Sequence, residues 1–122
     1  MRVPQKYYNE IFNFNGKWDI PSQCGLIIIE KEEKKYVIVT ELYQDNPGTS
    51  VTAAGKLLAT QICEQKGLNI QDITYLECTP NTNSVLSFYD ENYYEVTFNE
   101  NAPANYRKLS AEEITKLFNE LQ

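Results

Sequence analysis

The spacing of hydrophobic and polar positions changes several times along the chain, and each change marks an element. Phe12, Phe14, Trp18 and Ile20 alternate with polar residues around Asn15-Gly16. An Asn-Gly pair supplies the two positive-φ positions of a type I′ turn, so the pattern predicts a small hairpin over 12–20. Pro21 ends it, having no N–H for a ladder. The stretches 25–30 and 35–42 are apolar at consecutive positions, as in Leu26-Ile27-Ile28-Ile29 and Tyr36-Val37-Ile38-Val39, and are joined by Lys31-Glu32-Glu33-Lys34. Unbroken apolar runs of this length predict strands covered on both faces, central in a sheet.

Asn46-Pro47-Gly48 is turn chemistry. Beyond it Val51, Ala54, Leu58 and Ile62 recur at helical spacing, with Leu57 widening the stripe. The pattern predicts a helix capped by Thr49 or Ser50, running to 66 and stopped by Gly67. Gly55 inside it costs about 1 kcal/mol relative to Ala. A third long strand is expected over 73–79, before Pro80. A hairpin is expected from 84–89 and 93–98 across Asp90-Glu91-Asn92, and the stretch 99–108, with Pro103, reads as irregular. Ser110 and Glu113 have the spacing of a capping box, and Ile114, Leu117, Phe118 and Leu121 form an i, i+3, i+4, i+7 stripe. Residues 1–9 read as a loosely held lead-in.

The order is hairpin, hairpin, helix, strand, hairpin, helix. That predicts one α+β domain over 1–122: a mainly antiparallel sheet built from hairpins, with two helices packed on one face as a two-layer sandwich. Strand order stays open, because several arrangements fit these elements.

The segment Val37-Ile38-Val39-Thr40-Glu41-Leu42, with Asp45-Asn46-Pro47-Gly48-Thr49-Ser50-Val51-Thr52 after it, resembles small bacterial proteins that carry a strand, an acidic residue, an Asn-Pro-Gly-Thr/Ser turn and a helix. The similarity runs from about Trp18 to the terminal helix. It implies a bacterial or mobile-element origin and transfers no activity and no catalytic residue.

Composition narrows the function. The 122 residues are 42% hydrophobic and 23% charged, which suits one folded domain. Eleven Lys and Arg against 17 Asp and Glu give a net charge of −6, which argues against nucleic-acid binding through a basic patch. His is absent, removing His-based acid–base catalysis, His triads and His metal ligands together. With no catalytic motif either, an enzyme is the less favoured class, and no cofactor is expected. The longest apolar run, at 26–29, is far short of the ~20 residues of a membrane span, and the first twenty residues hold no apolar signal core. Three cysteines, Cys24, Cys63 and Cys78, without C-x-x-C spacing fit free thiols in a reducing cytoplasm. Burial is expected for Cys63 and Cys78, and more exposure for Cys24, in the Pro21-Ser22-Gln23-Cys24-Gly25 turn.

Four groups of residues could carry chemistry. The loop of residues 46–52 leads from strand to helix, where free N–H groups and hydroxyls can cradle an anion. Gly48, Thr49, Ser50 and Thr52, with Glu41 as base or metal ligand, are the candidate ligand site. The plainer reading is a helix cap, since the Walker pattern is absent and Asp45 repels anions. Glu30, Glu41, Asp45, Glu77 and Glu95 form an acidic set whose spacing fixes no site. The chain has nine Tyr, and exposed Tyr anchors interfaces. Tyr89, Asp90, Glu91, Tyr93 and Glu95 would form an acidic, aromatic hairpin tip. Arg107-Lys108, beside Tyr106, reads as a solvated loop.

Three functions compete. The first is a small interaction protein (adaptor, inhibitor or regulatory subunit) that binds another protein through its acidic, Tyr-rich surface. The second is a small-ligand or anion-binding module or enzyme using the 46–52 loop. The third is a structural homo-oligomer, joined through an exposed aromatic hairpin or an open sheet edge.

Overall fold

Strand pairing sets the frame. The structure, a computed structural model, describes residues 3–8, 10–14, 22–41, 55–79, 92–99 and 102–122. These residues form a sheet of six strands: β1 (Glu10–Phe14), β2 (Ser22–Lys31), β3 (Lys34–Glu41), β4 (Ile73–Thr79), β5 (Asn92–Asn99) and β6 (Ala102–Lys108). They lie side by side in chain order. Every neighbouring pair is antiparallel except β3 and β4, which are parallel. Helix α1 (Gly55–Lys66) lies between those two strands in the chain, and helix α2 (Ala111–Glu120) follows β6. The protein is therefore α+β, with a mainly antiparallel sheet and two helices.

Successive residues of a strand point to opposite faces, and here both faces are covered. Ile27, Ile29, Tyr36, Ile38, Leu76, Cys78 and Tyr93 pack with Phe118 and Leu121 at α2. The residues between them, among them Cys24, Leu26, Val37, Val39, Tyr75 and Val96, pack with Leu58, Ala59 and Ile62 of α1. The helices thus lie on opposite faces and the layers number three, which corrects the expectation that both would share one face. The reason is in β2 and β3 themselves. Burying an aliphatic or aromatic side chain fully is worth about 1.5–3 kcal/mol, and one helical layer would leave half of those residues in water.

Local chemistry closes the elements. The β2–β3 loop is Glu32-Glu33, with Lys31 paired to Lys34. Glu32 has φ 57, the positive value that matches a two-residue loop to the strand twist and that glycine adopts at less cost. At the end of α1, Gly67 has φ 67 and the Leu68 N–H donates to the Cys63 carbonyl at 2.9 Å, a Schellman closure. At the start of α2, the Glu113 N–H donates to Ser110 Oγ, and the Ser110 N–H to Glu113 Oε1, each at 3.2 Å. The residues expected to start α1, 49–54, lie outside the described residues.

β1 pairs with β2, Phe14 opposite Ser22; residues 15–20, which carry the turn and second strand of the expected hairpin, lie outside the described residues. Three further expectations meet a different arrangement. Because β2 begins at Ser22, Cys24 is a strand residue and only 3% exposed. The stretch read as irregular contains β6, where Pro103 is tolerated because an edge strand has one side free of ladder bonds. β5 has β4 on one side and β6 on the other, Val96 lying opposite both Tyr75 and Tyr106. The residues expected to form a hairpin with it, 84–89, lie outside the described residues.

Residues 3–8 of the lead-in dock on the core. Val3 is fully buried in the α2-side core, and Tyr7 and Tyr8 pack against it. The Tyr7 hydroxyl donates to the Leu121 carbonyl at 2.7 Å, tying residues 3–8 to the end of α2.

Candidate functional site

β3 and β4 run in the same direction, so their C-terminal ends emerge together. Glu41 is the last residue of β3 and lies opposite Cys24 in register. Gly48, Thr49, Ser50 and Thr52 lie outside the described residues, as do Tyr89, Asp90 and Glu91. One step back from the end of β3, Thr40 is buried, on the face that carries Ile38, and its hydroxyl has no hydrogen-bond partner. On the other face, opposite Val39, is Glu77.

Glu77 is 4% exposed, unusual for a carboxylate. Burial without partners would cost several kcal/mol, but Glu77 has partners. The Tyr106 hydroxyl donates to its Oε1 at 3.4 Å, a weak bond by length. Tyr94 lies opposite Glu77 in the β4–β5 register. The Tyr94 and Tyr106 rings meet edge to face, 6.5 Å between centroids, and Phe98 tilts against Tyr75 at 5.5 Å. Tyr94, Phe98 and Tyr106 are each half-buried. Together with Glu77 they make an aromatic surface with a carboxylate at its base, on the α1 side of β5 and β6.

The expected interaction residues fare differently. Tyr93 is a correction: it is fully buried, packed edge to face on Phe118 with centroids 5.1 Å apart. In a strand covered on both faces, its inward side is the α2 side, and the ring cannot reach a partner. Glu95 is half-buried and paired with Arg107 at 3.5 Å. Arg107, expected in a solvated loop, is a β6 residue that also holds Glu113 at 2.7 Å. That pairing lowers the Glu113 pKa, through the Arg107 hydrogen bond first, and raises that of Arg107. The charge of Glu95 is thus already matched by a cation.

The residues that sequence reasoning missed are Phe98, Tyr106 and Glu77 as a group, with Tyr94. The alternation of Tyr94, Val96 and Phe98 along the sequence puts two of them, Tyr94 and Phe98, on one face. Tyr106 gives no such signal, because Pro103 makes the stretch 99–108 look irregular in sequence while it contains β6.

The three thiols are free and buried, and burial pushes the Cys63 thiol up, away from the thiolate form a nucleophile needs. Among the described residues no group of three His, Cys, Asp or Glu is arranged to hold a metal, and no helix is long and apolar enough to cross a membrane. No family model, curated protein or solved structure matches the chain.

Proposed function

We propose that the protein works by binding another protein, a basic one, through the surface of Tyr94, Phe98 and Tyr106. One observation carries this reading: three large aromatic side chains stand half-exposed on one face of β5 and β6, beside the buried carboxylate of Glu77. Aromatic anchors of this kind dominate protein interfaces, and the net charge of −6 favours a cationic partner. The test is a pull-down from source lysate at low and high salt, with wild-type protein and with Tyr94→Ala. A basic partner held at low salt, released at high salt and lost with Tyr94→Ala supports the reading. Retention that ignores both salt and the substitution overturns it.

A second reading has its own support. Glu41 and Glu77 belong to the C-terminal ends of the parallel pair, the region where open sheets with parallel strands most often bind ligands. The loop of residues 46–52 follows in the chain. A thermal-shift panel of nucleotides, phosphates and divalent cations tests it. A ligand at 100 times its Kd adds about 2.7 kcal/mol, and a panel without any shift removes this reading.

A further inference from the structure

The sheet has two edges, and they are built differently. β6 contains Pro103, Arg107 and Lys108, and its pairing with β5 breaks register between Thr97 and Asn99. Proline, basic side chains and bulges are the devices that stop an edge from accepting another strand. β1 has none of them. It reads Glu10-Ile11-Phe12-Asn13-Phe14, and its register with β2 is unbroken from Glu10 to Phe14. Among the described residues β2 is its strand partner and nothing pairs with its other side. Ile11 is 46% exposed, the exposed large hydrophobic side chain of the described residues. Its register partner in β2 is Gly25, which has no side chain to shelter it.

We propose that β1 is an assembly edge, pairing antiparallel with β1 of a second copy of this chain so that the two Ile11 side chains meet across a two-fold axis. Three features favour a second copy as the occupant. A strand paired with itself about Ile11 gives each isoleucine the β-branched neighbour that Gly25 does not supply. In that register Glu10 falls opposite Phe12 of the second copy, so no like charges face each other. The Glu10 carboxylate is already held by Lys66 at 2.8 Å. Finally, the defended β6 edge cannot continue the sheet, so assembly closes at two copies rather than growing into a fibre. The result is one continuous sheet through both chains. This surface is separate from the Tyr94–Tyr106 surface and stands without it.

The experiment is light scattering on the purified chain at rising concentration, up to about 1 mM. The wild type is expected to reach twice the chain mass. Ile11→Lys is expected to remain at the single-chain mass with an unchanged circular dichroism spectrum. Ile11→Cys provides an independent arm that survives any folding defect of the lysine variant. The native thiols are buried, so air oxidation should join two chains through the new thiol alone, giving a reducible covalent dimer. Each chain carries −6, so the dimer should tighten as salt rises, opposite to the salt response expected of a basic partner. A wild type that stays single at every concentration overturns the proposal. So does a dimer that persists in Ile11→Lys, or one joined by a foreign extended segment instead of β1.

Discussion

Helices α1 and α2 cover opposite faces of one sheet, and they are held there by different means. α1 is fixed by connectivity: it joins two parallel strands, β3 and β4, and such a crossover packs on the side that makes it right-handed. Its apolar stripe is weak, and among its described side chains Leu58, Ala59, Ile62 and Cys63 are buried. α2 follows β6, an edge strand of the described sheet, and does not link two of the described strands. Side chains hold it: a strong apolar stripe, a reciprocal capping box, the Arg107–Glu113 pair and the Tyr7 hydroxyl on Leu121. A helix held by connectivity can tolerate an ordinary sequence. A helix held by side chains has to carry its own instructions.

The largest test of that contrast is in the two cores. Phe118→Ala should cost about 3–5 kcal/mol and Ile62→Ala about 2–5 kcal/mol in urea unfolding. Their consequences should differ. Amide exchange over 111–120 should rise ahead of the sheet in the first variant, whereas in the second 55–66 should stay coupled to β3 and β4. Equal loosening of both helices would end the distinction.

Removing the cap comes next. Ser110→Ala should destabilise by about 0.5–2 kcal/mol, and Ser110→Asp should restore most of it. Chemical denaturation with all three proteins decides this. The clasp is smaller: Tyr7→Phe removes one hydrogen bond at 2.7 Å, worth about 0.5–1.5 kcal/mol. Its sharper readout is faster exchange near Leu121 with no change in α1.

The smallest effect is the pH response of the exposed pair. Arg107 lowers the Glu113 pKa from its ordinary 4.5. A carboxyl with a depressed folded-state pKa contributes stability that is present above its unfolded value and lost as pH falls through the folded one. The pair should therefore support α2 at neutral pH and weaken below about 4.5. Glu113→Gln should flatten that part of the acid limb, and 1 M salt should reduce the difference.

Much of the fold is legible in residue order. The capping box at Ser110 and Glu113, the stop at Gly67 and the central strands β2 and β3 all follow from local chemistry and period. The site is less so. Tyr93 and Tyr94 are neighbours of the same type, and alternation says only that they face opposite ways. Which one is inward depends on which helix covers which side. The neighbour that pairs with β1 begins at Ser22, several residues beyond the strong local turn signal of Asn15-Gly16, so local turn chemistry does not point to it. Pro103 hid β6, since proline excludes a central strand but not an edge, and edges exist only once strands are ordered.

The sequence by itself determined where most elements lie, that the central strands need cover on both faces, and that His chemistry is absent. Those properties depend on residues a few positions apart, through backbone dihedrals, caps and side-chain periodicity. Only the tertiary structure decided that the helices take opposite faces, that residues 3–8 dock under α2, and that Glu77 meets Tyr94 and Tyr106. Those meetings join residues from different strands, and each is set by pairing register and by competition for buried surface. No single segment contains that information.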